Sequence, residues 1–210
     1  MRSGLTFWSP DGSKIAFEAR PRPGADWNLY VIPSEGGSPE IVVNSTHRAG
    51  FSWTHDGKSL IVPDSEENSP LRIIDLDHRS VSPIPGTEGY LCPLLSPSGR
   101  YLVVRKSDSV SALDLETHRV RQLATEAGDV GYPQWSRDER YVYFNRFLGT
   151  APAFYRVTVA DGSSKRMMVL DQFSAGGSFG ISSTLAPDGS LLLMRDLGGV
   201  DIYAIDWSER

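Results

Sequence analysis

Short apolar runs alternate with clusters of turn residues along the whole chain, and one block of this pattern occurs five times. The first copy, WSPDGSKIAF at 8–17, has an aromatic residue, a turn tetrapeptide and an apolar run in that order. The other copies are WTHDGKSLIV at 53–62, LSPSGRYLVV at 95–104, WSRDERYVYF at 135–144 and LAPDGSLLLM at 185–194. The fourth residue of the block falls at positions 11, 56, 98, 138 and 188. A repeat with a period of about 40–50 residues predicts an array of similar structural units.

Each block predicts two strands joined by a tight turn. The runs LTFWS at 5–9 and GFSWT at 50–54 have the aromatic-rich composition of short strands. The tetrapeptides SPDG, THDG and APDG follow with turn chemistry, in which proline sets φ, aspartate accepts hydrogen bonds from nearby amides and glycine adopts positive φ. The next runs are almost continuously apolar, which indicates strands buried on both faces: KIAF, SLIV, YLVV, YVYF and LLLM.

Most units also predict a third and a fourth strand. The third is NLYVIP at 28–33, RIIDLD at 72–77, SALDLE at 111–116, FYRVTV at 154–159 and DIYAID at 201–206. The fourth is PEIVV at 39–43, SVSPI at 80–84, RVRQL at 119–123 and KRMMVL at 165–170, and the fifth unit shows none up to residue 210. No long window keeps the 3.6-residue period of a helix, so very little helix is expected.

Four antiparallel strands repeated at this interval are typical of a β-propeller blade. The chain is therefore predicted to be all-β, a single propeller region over 1–210 with five WD-repeat-like blades. The expected blades are about 1–45, 46–86, 87–126, 127–172 and 173–210, the last without its fourth strand. A lone blade cannot bury both faces, so the blades must stack. The first residue of each block is expected to fill the gap to a neighbouring blade: Trp8, Trp53, Leu95, Trp135 and Leu185.

Composition narrows the function classes. The net charge of −5 and the pI near 5.4 argue against a nucleic-acid-binding surface, which requires a basic stripe. No apolar run approaches the roughly 18 residues of a membrane-spanning helix. Cys92 is the single cysteine, which excludes an internal disulfide, and its apolar neighbours predict a buried, inert thiol.

Candidate catalytic and metal-binding motifs are few, and each has a structural interpretation. The G-x-S-x-G elbow of a serine hydrolase is absent, and SAGGSFG at 174–180 lacks the Lys-Ser/Thr of a phosphate loop, so it is interpreted as an inter-blade loop. The histidines form no metal-binding pair and are interpreted as surface turn residues: His47, His55, His78 and His118. The recurring aspartates are expected to bind local backbone: Asp11, Asp56, Asp138 and Asp188. We expect no catalytic residue, no metal site and no cofactor.

The sequence WSPDGSKIAF, followed by NLYVIPSEGGSPEIVV, resembles the WD-repeat-like blades of TolB-type propellers. The resemblance covers essentially the whole chain in five copies. The third copy departs from it with Ser98 in place of aspartate, and the fourth with Arg137 and Glu139 in place of proline and glycine, so these two turns are expected to differ. Similar blades occur in periplasmic translocation proteins, in prolyl oligopeptidase-like enzymes, and in bacterial regulators and kinases. The ending DLGGVDIYAIDW resembles the carboxyl terminus of this last group.

The resemblance implies a non-catalytic sensory or scaffolding module of a larger bacterial protein, which binds a protein or peptide partner. The alternatives are the propeller domain of a prolyl oligopeptidase-like peptidase and a five-bladed glycosidase, whose two carboxylates the sequence cannot place. The binding surface is expected where second-to-third-strand loops meet inter-blade connections. Its candidates are interface-type residues, with solvated loop positions as the other interpretation: Arg20, Arg48, Tyr90, Tyr132, Arg146 and Phe173.

Ring closure is the last expectation. Related TolB-type propellers have six blades, so five blades are expected to form part of a longer propeller or an open arc. The strand missing from the fifth blade is then expected from upstream sequence or a second chain, with self-association through the open edges. The resemblance favours the periplasm, although the start MRSGLTFWSPDG shows no signal-peptide apolar region, and the compartment is left open.

Overall fold

The described part of this computed structural model contains eighteen β-strands. The described residues are 2–46, 50–64, 66, 68–106, 108–125, 130–131, 133–146, 153–170, 183–186 and 188–193. Within these ranges there is no helix that could cross a membrane.

Four blades follow one another along the chain, each an antiparallel sheet whose strand order is the order of the sequence. Blade 1 contains β1 (Arg2–Trp8), β2 (Lys14–Arg20), β3 (Trp27–Pro33) and β4 (Glu40–Thr46). Blade 2 contains β5 (Ser52–Trp53), β6 (Ser59–Val62), β7 (Arg72–Asp75) and β8 (Val81–Pro83). Blade 3 contains β9 (Leu91–Leu95), β10 (Tyr101–Lys106), β11 (Ser109–Asp114) and β12 (Arg119–Thr125). Blade 4 contains β13 (Gln134–Trp135), β14 (Tyr141–Arg146), β15 (Ala153–Thr158) and β16 (Ser164–Val169).

The prediction of an all-β propeller is confirmed, but the described part of the chain contains four complete blades where five were predicted. Within the described residues, the fifth unit contributes the hairpin of β17 (Ser183–Leu185) and β18 (Leu191–Leu193). Its turn is one residue shorter than the turn of blade 1, since Leu185 pairs with Leu191 whereas Trp8 pairs with Ile15. A two-stranded hairpin cannot bury both faces as a blade does. The predicted third strand at 201–206 lies outside the described residues.

The apolar runs of blades 2 and 3 are buried on both faces, as the sequence predicts, whereas Leu192 in the run of the fifth unit is 52% exposed. In β10, the consecutive residues Leu102, Val103 and Val104 have no exposed surface. Successive side chains of a strand point to opposite faces, so blade 3 is covered on both sides. Three apolar clusters lie between neighbouring blades, and each draws residues from two blades. These clusters include Leu29 with Leu60, Ile61 with Leu102, and Val110 with Phe144.

The tryptophan at the start of a block hydrogen-bonds to the first strand of the preceding blade. The indole N–H of Trp53 donates to the carbonyl of Phe7 at 3.1 Å, and that of Trp135 donates to the carbonyl of Leu94 at 3.0 Å. Both rings are buried, with 7% and 8% of their surface exposed. The prediction that these two residues fill the gap between blades is confirmed.

Where the block starts with leucine, the backbone N–H of that leucine donates to a side chain of the preceding blade instead. The Ser52 hydroxyl accepts the N–H of Leu95 at 3.0 Å, and the amide oxygen of Gln134 accepts the N–H of Leu185 at 2.9 Å. At all four described junctions, the first residue of a block is therefore hydrogen-bonded to the residue that comes just before the block in the preceding blade. The donor is an indole N–H at two junctions and a backbone N–H at the other two.

Trp8 does not fill a gap between blades, and the prediction for it was wrong. Its side chain is 60% exposed. The physical reason is that, in the described part of the chain, no blade stands before blade 1 to offer it a carbonyl or an apolar surface.

Candidate binding face

The second strands of three blades end with a basic residue on one face of the propeller. β2 ends at Arg20, β10 at Lys106 and β14 at Arg146. Equivalent strands of stacked blades run in the same direction, so these ends lie on the same side of the molecule. We call this side, which carries the second-to-third-strand loops and the inter-blade connections, the loop face.

Arg20 lies over an aromatic ring of its own blade. Its Cζ is 5.4 Å from the centroid of Trp27, the first residue of β3. Its Nε is buried and has no hydrogen-bond partner among the described residues. The attraction between a guanidinium and an indole ring therefore holds this side chain in place.

Tyr90 precedes β9 and also lies in a cation–aromatic pair. The Nζ of Lys106 is 5.6 Å from the Tyr90 ring centroid, and it donates to the carbonyl of Glu88 at 3.0 Å. The neighbouring Gly89 N–H donates to the carbonyl of Ser69 at 3.0 Å, which fastens the connection to a loop of blade 2. The Tyr90 ring is thus anchored from blades 2 and 3.

Arg146 has the third pair. Its Cζ is 5.8 Å from the centroid of Tyr155 in β15. Its backbone forms an antiparallel bridge with Val130, and the guanidinium of Arg105 donates to the Val130 carbonyl at 2.8 Å. The connection between blades 3 and 4 is thereby attached to both blades beside Arg146.

Three of the six predicted site residues thus lie on the loop face, in separate blade sectors. The other three, Arg48, Tyr132 and Phe173, lie outside the described residues. The sequence reasoning missed the partners of the pairs, which are Trp27, Lys106 and Tyr155. The register of β2 with β3 puts Ala19 opposite Asn28, and hence Arg20 opposite Trp27.

The first-to-second-strand turns lie on the opposite side, the turn face, and their aspartates bind local groups as predicted. In the first turn, the Ser9 hydroxyl donates to Asp11 at 2.6 Å and the Ser13 amide donates at 3.0 Å. With the Ser13 hydroxyl, these donors lower the pKa of Asp11 from 3.8 to about 2. A hydroxyl and an amide likewise lower the pKa of the equivalent aspartates: Asp56, Asp138 and Asp188.

The two turns that depart from the repeat complement each other. Ser98, which replaces aspartate in blade 3, donates from its amide and, at 3.0 Å, from its hydroxyl to the Glu139 carboxylate of blade 4. Glu139 stands where other blades have glycine, and its φ is +56°. The equivalent Gly57 lies beside Pro10 and Gly99 beside His55, so this position contacts the preceding turn. Glu139 therefore supplies to the blade 3 turn the carboxylate that is missing where Ser98 replaces aspartate.

The histidines belong to exposed turns, which confirms the prediction for His55, His78 and His118; His47 lies outside the described residues. The Nδ1 of His78 is 3.0 Å from the Asp75 carboxylate, which raises the pKa of His78. Among the described residues, no group of three or more His, Cys, Asp or Glu side chains could hold a metal ion.

Cys92 is buried, as predicted, but its surroundings are polar on one side. The Nε of Arg105 donates to its sulfur at 3.1 Å, and the φ of Cys92 is +53°.

A cavity of about 10 Å³ lies between blades 1 and 2, lined in part by Glu18, Thr46 and Phe51. This volume is enough for about one water molecule and too small for an organic ligand.

No family model matches the chain, and no curated protein matches it. Solved structures do match. TolB from Acinetobacter baumannii superposes with a TM-score of 0.68 and 23% identity, over 90% of this chain and 48% of that one. This chain has the TolB-type propeller fold. A protein assigned as TolB from Agrobacterium tumefaciens superposes with a TM-score of 0.59 and 18% identity, over 77% of this chain and 63% of that one.

The chain spans about half the length of the Acinetobacter protein. An oligogalacturonate lyase in complex with manganese is similar too, with a TM-score of 0.63 and 16% identity, over 92% of this chain and 58% of that one. TolB and a lyase thus share one architecture, and the fold by itself does not separate binding from catalysis.

Proposed function

We propose that this chain is a non-catalytic binding propeller, whose partner is a protein or peptide and whose site is the loop face. The observation that carries the proposal is the set of three cation–aromatic pairs on that face. They involve half-buried Arg20, Tyr90 and Arg146 in three different blade sectors. Arginine and aromatic side chains are the residues that dominate binding energy at protein interfaces.

The pairs favour binding because they hold long side chains in place before a partner arrives. An arginine that is free in water loses rotamer freedom on binding, at roughly 0.5–1.5 kcal/mol for each side chain that becomes fixed. Stacking on Trp27 or Tyr155 reduces this loss for Arg20 and Arg146. The backbone beside Tyr90 and Arg146 is also hydrogen-bonded to side chains of blade 3, which restricts its movement.

The same proposal extends to the whole protein. We infer that this region is a sensory or scaffolding module of a larger bacterial protein, of the regulator or kinase-like kind. Its support is the propeller fold that this chain shares with TolB from Acinetobacter baumannii. We propose that Arg48, Tyr132 and Phe173, which lie outside the described residues, also contribute to binding.

Selection of random peptides displayed on phage tests the site. A selected peptide should bind at least about 10-fold more weakly when Arg20, Tyr90 and Arg146 are each changed to alanine, because each change removes an anchor. The controls are Arg100→Ala and Arg140→Ala, which remove cation–aromatic pairs with Tyr101 and Tyr141 on the turn face. Equal binding by loop-face variants and wild type would place the site elsewhere.

Turnover assays test the non-catalytic part of the proposal. The purified chain is incubated with chromogenic glycosides, with peptide substrates, and with oligogalacturonate in the presence of manganese. No product above the no-enzyme control is expected. Turnover of any of these substrates that persists through purification would show that the chain is an enzyme.

A further inference from the structure

The three paired cations of the loop face stand at the three junctions between complete blades. Arg20, Lys106 and Arg146 each continue a column of side chains that fills one junction, because residues two or four apart in a strand share a face. The residues four positions before them are fully buried in the three inter-blade clusters: Ala16, Leu102 and Val142. The loop face therefore presents one cation at the end of each junction.

Two of these cations have no carboxylate partner. Arg20 and Lys106 form no ion pair within the described part of the chain, whereas Arg72 on the same face is held by Asp64 at 3.2 Å. Arg20 is also half-buried, and its Nε has no hydrogen-bond partner among the described residues. A guanidinium that is partly withdrawn from water and not paired with a carboxylate is well suited to bind one from a ligand.

The loops between the second and third strands carry the opposite charge. Each of these loops joins two strands of one blade, so it stands over a blade and not over a junction. The acidic residues in the described parts of these loops are Asp26, Asp64, Glu66 and Asp108. A ligand carboxylate is therefore attracted at a junction and disfavoured over a blade, which selects ligands by the spacing of their acids.

The blades set that spacing. Facing sheets pack roughly 10 Å apart, so successive junctions are separated by about this distance. A peptide in the polyproline II conformation has three residues per turn and advances about 3.1 Å per residue, so its side chains recur on one side every ~9 Å. In a β-strand, residues three apart point to opposite sides. A polyproline II segment thus offers one side chain to each junction when every third residue is used.

We propose that the loop face binds a peptide in the polyproline II conformation with an acidic side chain at every third residue. This rests on the binding function proposed above and names the chemistry of the partner. Three carboxylates pair with Arg20, Lys106 and Arg146, and the uncharged residues between them cross the acidic loops. The aromatic rings beneath the cations suit this ligand, because polyproline II segments dock on aromatic-lined surfaces.

Two fluorescein-labelled nonapeptides of the same composition test the proposal by fluorescence polarisation. The spaced peptide has glutamate at its first, fourth and seventh positions and proline elsewhere, and its isomer has glutamate at the first, third and fifth positions. The spaced peptide should bind at least about 5-fold more tightly, because it alone brings three carboxylates to three junctions. Its affinity should also fall more steeply as the salt concentration rises.

Substitutions in the chain identify the contacts. Arg20→Gln, Lys106→Gln and Arg146→Gln should each weaken binding of the spaced peptide by about 3-fold or more and reduce its advantage over the isomer. Arg20→Lys keeps the charge and should retain most of the binding. The matched control is Arg140→Gln, which removes a cation from the ring of Tyr141 on the turn face and should leave both affinities unchanged. Far-UV circular dichroism checks that every variant is folded.

Peptides selected from the phage library separate an error in the spacing from an error in the site. If selected peptides depend on the loop face but the spaced peptide binds no better than its isomer, the acidic spacing is wrong and the binding function stands. If no selected peptide depends on the loop face, the binding function fails and the acidic ligand fails with it. A full advantage of the spaced peptide in all three glutamine variants would also overturn the proposal.

Discussion

The pairing of Ser98 with Glu139 leads to a prediction about coupled substitutions in two neighbouring blades. In blades 1, 2 and 4, a turn aspartate accepts a hydroxyl two residues before it and an amide two residues after it. In blade 3, the Ser98 hydroxyl accepts the Arg100 amide at 3.3 Å and itself donates to Glu139. The substitution Ser98→Asp combined with Glu139→Gly therefore rebuilds the standard turn in both blades.

Two opposing effects set the result of Glu139→Gly alone. The change removes a carboxylate that accepts two hydrogen bonds, which we set at about 1–2 kcal/mol for a partly exposed charged acceptor. It also relieves a non-glycine residue at positive φ, which is worth about 1–2 kcal/mol. The free energy of unfolding should consequently change by less than about 1 kcal/mol. Glu139→Ala keeps the strain and loses the carboxylate, so it should be the more destabilised variant.

The double-mutant cycle gives the decisive number. Ser98→Asp in the wild-type background places two carboxylates in one turn, and their repulsion makes this single change unfavourable. In the Glu139→Gly background the new aspartate finds the same donors as in other blades. The coupling free energy should favour the double variant by about 1 kcal/mol or more. Urea denaturation followed by tryptophan fluorescence measures all four proteins. A coupling indistinguishable from zero would show that Glu139 does not serve the blade 3 turn.

Three further predictions concern the blades themselves. Trp53→Ala should lower the free energy of unfolding by about 3–5 kcal/mol by leaving a cavity between blades, whereas Trp8→Ala, at an exposed position, should change it by less than about 1 kcal/mol; equal losses in urea denaturation would contradict this. Gly12→Val and Gly189→Val should each cost about 1 kcal/mol or more, since both glycines have positive φ and no atom within 4 Å of an added Cβ; unchanged denaturation midpoints would show that the turns tolerate side chains. The native pKa of Asp11 is lowered from 3.8 to about 2, so its contribution to stability is present above about pH 4 and is lost as the pH falls toward 2; Asp11→Asn should flatten the acid side of the stability profile, and an identical profile would refute the assignment.

Local chemistry made most of the fold predictable from the sequence. The turn aspartates are followed two residues later by the amide they bind, so the turn could be read from a stretch of a few residues. The apolar runs showed burial on both faces because composition alone carries that signal. The number of complete blades could not be read in this way. The described residues contain four complete blades, and the predicted third strand of the fifth unit lies outside them.

The candidate site was less predictable because its contacts join distant parts of the chain. Arg105 binds a carbonyl 25 residues away, and Ser98 binds a carboxylate 41 residues away. Sequence spacing says nothing about such pairs until the blades are stacked. The loop-face arginines were chosen for residue type and loop position, and the rings beneath them became visible only with the strand register.

The inter-blade hydrogen bonds show how a substitution at one point of the repeat is matched at another. The residues that accept the indole N–H of Trp53 and Trp135 are Phe7 and Leu94, which are apolar and accept through their backbone carbonyls. At the two leucine junctions the residues in the same position are Ser52 and Gln134, and their side chains accept the backbone N–H of Leu95 and Leu185. A buried polar group without a partner is costly, and at the two leucine junctions a side chain of the preceding blade accepts the leucine N–H. The same logic links Ser98 to Glu139. In this propeller, these polar groups find their hydrogen-bond partners across the junction between two blades. A single blade does not supply the partners by itself.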